Sequence, residues 1–551
     1  MDTQYTVGQY LTERLEQLGL KHLFSIAGDY TIEWINEHIE PSSIELVEEV
    51  NELNAGYATD GYARLNGIGA MCFTYSAGTL SAVNAVAASY AERVPVVVIN
   101  GAPSIKKRLT AQQTGFIYHH MIDGETDLNI YKNITVAAIK LDAPELAPQL
   151  IDYALTQCIS QKRPAYIELL EDMVQQPCSP PVGKLAPLKT IPSDEGVTQS
   201  IETIKHALEK AKRPIIWLGA EVDRMGLHEQ ANALIRKLNL PYVTELISKA
   251  VFSENDPLFA GVFDGQASSD VTQALVKESD FILGLGVWLS DINTLGQSVD
   301  YDKTALIAWD TVKLGTYFVP QVPLGNFIDE LAMQSITCAP PCAIPHSTQA
   351  QPQDFTGKIS YQGFYDFIQN KEYIGDNVLI GSDASLNFFG SLLLKVGTPR
   401  GFVAQPTYSS IGYIGPAATG MSLAKQDHQR VFIFTGDGGF QMTPQCLSTQ
   451  TRFGLNPIIF VMDNGVYGVE QWLYDAEIFS SDQPFFDSCI LHQWDYCKLA
   501  DVFGCKAWQV NTYEDLNEAI LGALENADSP SLIQVKVPPK SIPDNAKWKK
   551  K

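Results

Sequence analysis

The chain has 551 residues, 45% of them hydrophobic and 10% aromatic, with a formal net charge of −24. That length and composition predict a globular protein of three or four domains with large cores. The acidic balance argues against a nucleic-acid partner, and no apolar run reaches the roughly 20 residues of a membrane span.

Met1 to Gln9 is polar, and an amphipathic helical pattern follows in place of a signal peptide. A strand is predicted over 21–26, with Gly28-Asp29 just past its C-terminal end. Asn51-Glu52-Leu53-Asn54-Ala55-Gly56 opens a helix rich in small residues, where a carboxylate at Glu52 suits the positive end of the helix dipole. Strands are predicted to end at Phe73-Thr74 and at Asn100-Gly101. His119-His120 follow Phe116-Ile117-Tyr118; in an extended segment the two rings would face opposite sides, and by itself such a pair reads as structural.

Two proline-rich stretches, Pro177 to Pro192 and Cys338 to Gln353, have neither helical nor strand periodicity and read as linkers. They divide the chain into 1–180, 193–340 and 354–551. Each piece alternates strands and helices, so the predicted fold class is α/β, three doubly wound parallel-sheet domains. The middle piece carries Gly284-Leu285-Gly286 after a strand, but Leu289 stands where a dinucleotide fingerprint needs its third glycine. It reads as a structural domain without a nucleotide. Nine cysteines, an odd number with no CxxC, predict a reduced, cytoplasmic protein. Cys338 and Cys342 lack a second ligand pair and do not read as a zinc site.

The third piece is the most informative. Val431-Phe432-Ile433-Phe434 runs into Gly436-Asp437-Gly438, and after a spacer of 24 residues Ile458 to Met462 runs into Asp463-Asn464. Neighbouring parallel strands bring their C-terminal ends to one rim, so Asp437 and Asn464 are predicted to meet there. A carboxylate and an amide oxygen suit Mg²⁺, a hard cation that completes its shell with phosphate oxygens and water. Gly436, Gly438 and Gly439 leave room for a diphosphate beside the backbone. The first and third pieces look like distant copies of one βαβ pattern. Pro538, Pro539 and Pro543 break any terminal helix, and the basic Lys547 to Lys551 reads as a solvated tail.

The GDG…DN spacing resembles the thiamine diphosphate motif. With Glu52, Asp29, the His119-His120 pair and Glu470 six residues beyond Asn464, the chain resembles the pyruvate and indolepyruvate (phenylpyruvate) decarboxylase family along essentially its whole length. The resemblance implies pyrimidine-binding, middle and diphosphate-binding domains in that order. It implies thiamine diphosphate and Mg²⁺ as cofactors, and homodimers or homotetramers with sites between subunits, Glu52 of one chain meeting Asp437 of another. Position by position it implies that Asp437, Asn464 and the Val466 carbonyl hold the cation. Ile411 would bend the cofactor, and the Ser409 carbonyl would accept its 4′-amino group. Glu52 would hold the proton of the pyrimidine ring nitrogen. Asp29, His119 and His120 would move protons, and Glu470 would donate one near the leaving carboxylate if burial raises its pKa.

The implied reaction is non-oxidative decarboxylation of a 2-oxo acid to an aldehyde and CO₂. Several positions depart from the family. Gly439 stands where a Ser is common, Ser385-Leu386-Asn387-Phe388-Phe389-Gly390 replaces GTSxFG, and Thr79 replaces an acid. Ser385 and Asn387 are the candidates for the diphosphate. Val469, smaller than the Ile of pyruvate-restricted relatives, and the aromatic Phe388 point to a larger branched-chain or aromatic 2-oxo acid. The alternatives are a pyruvate decarboxylase, a carboligase or benzoylformate-type enzyme, and a non-catalytic protein that kept the fold.

Overall fold

The structure, a computed structural model, describes residues 5–295, 298–341, 344 and 354–546. Cys342, most of the second linker and the Lys547–Lys551 tail lie outside the described residues.

The first sheet is built from β1 (His22–Ser25), β2 (Glu45–Glu48), β3 (Gly69–Thr74), β4 (Val96–Ala102), β5 (Ala137–Leu141) and β6 (Ala165–Leu170). Its order is β2-β1-β3-β4-β6-β5, every pair parallel. The middle sheet contains β7 (Pro214–Leu218), β8 (Tyr242–Thr244), β9 (Phe259–Val262), β10 (Phe281–Leu285), β11 (Thr304–Ala308), β12 (Thr311–Leu314) and β13 (Tyr317–Pro320). The third contains β14 (Val378–Ser382), β15 (Phe402–Ala404), β16 (Arg430–Gly436), β17 (Ile458–Asp463), β18 (Lys506–Val510) and β19 (Ser531–Lys536). Its order is β15-β14-β16-β17-β19-β18, again all parallel. That is the topology of the first sheet repeated, as expected of two copies of one unit.

These strands are apolar runs because helices cover both faces of a parallel sheet. Every residue of β4 and β17 is buried. The middle sheet departs from the all-parallel expectation. β12 and β13 add to its edge as an antiparallel hairpin, since the link from Ala308 to Thr311 is too short for a crossover helix. At its strand ends the buried Glu245 carboxylate accepts the backbone N–H groups of Ala220 and Trp288.

The first and third units pack through the Glu52–Asn66 and Ile414–Ala424 helices. A Cβ on Gly61 would stand 2.4 Å from the Ala417 carbonyl oxygen, and one on Gly420 would stand 1.9 Å from that of Ala58. Glycine at both positions lets the two backbones touch. After β19 the chain forms no helix as far as Ala546. Asn545 donates to the carbonyls of Ala267 and Phe389, and the Trp472 indole donates to the Ala546 carbonyl.

Candidate active site

A cavity of about 270 Å³ opens at the C-terminal rim of the third sheet, between the ends of β14, β16 and β17. β16 and β17 are neighbours with Gly436 opposite Met462, so the residues after them share one wall. Asp437 begins a four-residue helix and is 2% exposed. Its Oδ1 accepts the Gly438 N–H at 3.0 Å and its Oδ2 the Gly465 N–H at 2.7 Å. Burial, with the neighbouring Asp463 charge adding, pushes the Asp437 carboxyl up to about 7. Asn464 is buried beside it, its Oδ1 accepting the Val466 N–H at 3.2 Å. Asp437, Asn464 and Val466 all line the cavity, with Gly436, Gly438 and Gly439. A buried carboxylate raised by its surroundings, next to an amide and a backbone turn, fits a hard divalent cation with a diphosphate.

Ser385 also lines the cavity, but Asn387 does not. Asn387 is fully buried; its Oδ1 accepts the Tyr361 and Tyr365 hydroxyls at 2.9 and 2.7 Å, and its Nδ2 donates to Ser385 Oγ at 2.8 Å. It holds Ser385 from below, in a helix that turns it into the core. Phe388 likewise packs in the core and is not on the cavity wall; Leu386, Ile411, Met462 and Val469 form the apolar wall instead. Ser409 has a left-handed backbone, φ 57°, and its Oγ donates to the Pro406 carbonyl at 2.7 Å. Glu470 lines the cavity and is exposed in a single chain, so the burial expected of it is not present there.

Sequence reading missed Asp383. It directly follows β14 and is fully buried; it accepts the Thr435 hydroxyl at 2.8 Å and the Gly412 N–H at 3.1 Å. A Cβ on Gly439 would stand 2.4 Å from Asp383 Oδ2, which explains the glycine after Gly438. Its place at a strand's C-terminal end was the available signal.

In the first unit, Asp29, His119 and His120 converge, with ligand atoms all within 4.8 Å of one another. His119 Nε2 lies 2.8 Å from Asp29 Oδ2. The two rings do not face opposite sides as expected of an extended segment; their centroids are 4.8 Å apart because His120 adopts φ 63° and turns the chain. Glu52 is the first residue of its helix, behind Asn51, whose Oδ1 caps the Asn54 N–H at 2.8 Å. Half-burial raises its pKa. Thr79 is buried and ties the two strand ends together through the Thr74 carbonyl and Asn100 Oδ1. Within one chain these groups stay apart from the cavity, whose wall runs only from Tyr361 to Glu470 and includes none of Asp29, Glu52, His119 and His120.

Comparison with known proteins defines the class. Residues 5–129 match the N-terminal TPP binding domain of thiamine pyrophosphate enzymes, 201–333 the central domain and 385–535 the C-terminal TPP binding domain. Over its full extent the fold is similar to a solved putative thiamin diphosphate-dependent enzyme from Mycobacterium smegmatis, with a TM-score of 0.75 at 20% identity, covering 97% of this chain and 100% of that one. An alpha-keto-acid decarboxylase of Mycobacterium avium (strain 104) is 32% identical, over 98% of this chain and 95% of its own length. The counterpart in Mycobacterium leprae (strain TN) is 30% identical with the same coverage. A probable pyruvate decarboxylase of Schizosaccharomyces pombe is 28% identical over 97% of this chain and 94% of its own length. The chain belongs to the thiamine diphosphate-dependent 2-oxo acid decarboxylases and is a carboxy-lyase.

Proposed function

We propose that this decarboxylase releases CO₂ and an aldehyde from a branched-chain or aromatic 2-oxo acid, phenylpyruvate or indolepyruvate among them. The apolar cavity wall beside Asp437 and Asn464 carries this reading. Leu386, Ile411, Met462 and the small Val469 line it, and an apolar wall of this kind suits a substrate side chain larger than methyl. Pyruvate is the second reading, favoured by the similarity to the Schizosaccharomyces pombe protein. Because one methylene discriminates by only about 1–3 kcal/mol, Val469 widens the range of substrates more than it defines it.

In this reading Asp437 and Asn464 side chains and the Val466 carbonyl hold Mg²⁺, and Ser385 with Gly436, Gly438 and Gly439 takes the diphosphate. When bound, thiamine diphosphate supplies a carbon nucleophile and an electron sink for the carboxylate's departure. Ile411, on the cavity wall, would pack against the bound cofactor, and the Ser409 carbonyl would accept its 4′-amino group. Glu52 keeps a proton at the pyrimidine ring nitrogen; its burial favours the protonated carboxyl needed there. Asp29, His119 and His120 pass protons to and from the reacting carbon, and Glu470 protonates near the leaving carboxylate. Water is kept out by a second copy of the chain. A homodimer or homotetramer that sets the first unit of one chain over the third unit of another would unite the two half-sites and cover Glu470. The functional units are 1–180, 193–340 and 354–551, binding pyrimidine, linking, and binding diphosphate. The described cysteines are all free, which suits a cytoplasmic protein.

The test is aldehyde and CO₂ release from pyruvate, 4-methyl-2-oxopentanoate, phenylpyruvate and indolepyruvate, with and without thiamine diphosphate and Mg²⁺. The expected result is cofactor-dependent turnover with a larger acid highest in kcat/KM. Highest kcat/KM for pyruvate overturns the substrate reading, and a 2-hydroxy ketone in place of aldehyde would make the enzyme a carboligase.

A further inference from the structure

The residue before Asn464 is itself a carboxylate, and it does not line the cavity. Asp463 closes β17 and is 3% exposed. Its Oδ2 accepts Gln534 Nε2 at 2.5 Å and pairs with Lys536 Nζ at 2.5 Å. Both partners come from β19, where Lys536 is the direct register neighbour of Asp463. Asp437 follows β16, the other neighbour of β17, so the two carboxylates stand at adjacent strand ends.

Two carboxylates at one buried point repel unless a cation or a proton stands with them. Lys536 offsets one of the two charges and reaches in from the rim, its side chain 32% exposed. With both carboxyls ionised, Asp437, Asp463 and Lys536 carry one net negative charge beside Asn464. Groups behind a metal's direct ligands set ligand orientation and charge, and so affinity.

We propose that Asp463, held in place by Lys536 and Gln534, is an outer carboxylate of the cation site and strengthens the hold of Asp437, Asn464 and Val466 on a divalent cation. This rests on the reading of those three as the Mg²⁺ ligands. An uncharged residue at 463 would keep the strand end and lose the attraction. Loss of Lys536 would do the reverse, leaving the Asp463 charge uncompensated.

The experiment is calorimetric titration of Mg²⁺ into the full-length chain saturated with thiamine diphosphate, for the unaltered protein, Asp463→Asn and Lys536→Met. Manganese binding followed by paramagnetic resonance is read in parallel, and turnover is not used. Asp463→Asn is expected to weaken Mg²⁺ binding by about 10–100-fold, the scale for groups behind a metal's ligands. Lys536→Met is expected to tighten it. Opposite signs identify charge as the cause, because a merely structural pair would move both variants the same way. Unchanged affinity in Asp463→Asn, or weakening in both variants, overturns the proposal. If Asp463→Asn fails to fold, Lys536→Met decides alone: tighter binding supports the proposal and equal or weaker binding overturns it. Failure of the unaltered protein to bind Mg²⁺ would defeat the reading of the three ligands and this inference with it. Binding that the variants leave unchanged would defeat the inference alone.

Discussion

Asp383 fills the space that a side chain at 439 would need, so a departure that looks like a lost hydroxyl is a steric consequence of a buried carboxyl. Single residues set the chemistry in the same way elsewhere. Glu52 starts its helix half-buried, and the proposed function sets its carboxyl against a ring nitrogen of the cofactor. Glu52→Gln, which keeps the shape and removes the proton, is expected to lower kcat/KM by about 10²-fold or more, the range for one acid–base group. Steady-state decarboxylation with thiamine diphosphate and Mg²⁺ in excess checks it. Glu49 makes a different contribution. It is buried with Oε1 unpartnered and Oε2 accepting the Thr449 hydroxyl at 2.7 Å, and burial pushes it from an ordinary 4.5 up to about 7. Between those values the unfolded chain gives up its proton first, so Glu49 costs stability as pH rises from 4.5 to 7. Glu49→Gln removes that charging cost, by at most about 3 kcal/mol. Melting temperatures measured from pH 5 to 8 should fall less steeply in the variant.

At the scale of elements, the contact of the Glu52–Asn66 and Ile414–Ala424 helices carries much of the arrangement. It fixes the helix that begins at Glu52 against the unit that bears Ile411, and Tyr57 meets Ser410 across it at 2.5 Å. Ala in place of Gly inside a helix ordinarily stabilises by about 0.5–1 kcal/mol. Gly420→Ala should do the opposite and destabilise by about 1–3 kcal/mol, because its methyl meets the Ala58 backbone. Urea unfolding of the variant gives the sign directly. Strand ends, the other recurrent element, were legible from sequence. GDG and Asp463-Asn464 each terminate an apolar run, and their neighbourhood followed from parallel pairing. Asp383 ends a run in the same way but carried no motif to mark it. The His119-His120 geometry was not legible, because one left-handed residue reverses which way a ring points.

For the whole molecule, the separation of the two half-sites in one chain makes a specific demand. In the proposed assembly, Asp29, Glu52, His119 and His120 meet the cavity of another copy. Glu52→Gln and Asp437→Ala chains, each inactive alone, should therefore recover activity when refolded together. Random pairing gives half mixed dimers with one intact site each, so about a quarter of normal activity is expected in a two-fold assembly. Sites complete within one chain would give none.

What the sequence determined by itself is what depends on local pattern. Apolar runs closed by glycine and acid residues named the strands and their functional ends, and alternation of strands and helices named the class. Prolines after β19 break the helical pattern, and the described residues as far as Ala546 form no helix there, for a reason internal to the backbone. What only the tertiary structure decided depends on residues distant in the chain sharing one volume. Asn387 and Phe388 turn into the core while Leu386 reaches the cavity, because a helix rotates successive side chains by about 100° and packing selects which face is buried. The antiparallel edge of the middle sheet, the carboxylate under Gly439 and the Asp437–Asp463–Lys536 cluster arise the same way. Each joins residues from separate strands, and no single stretch of sequence contains the contact.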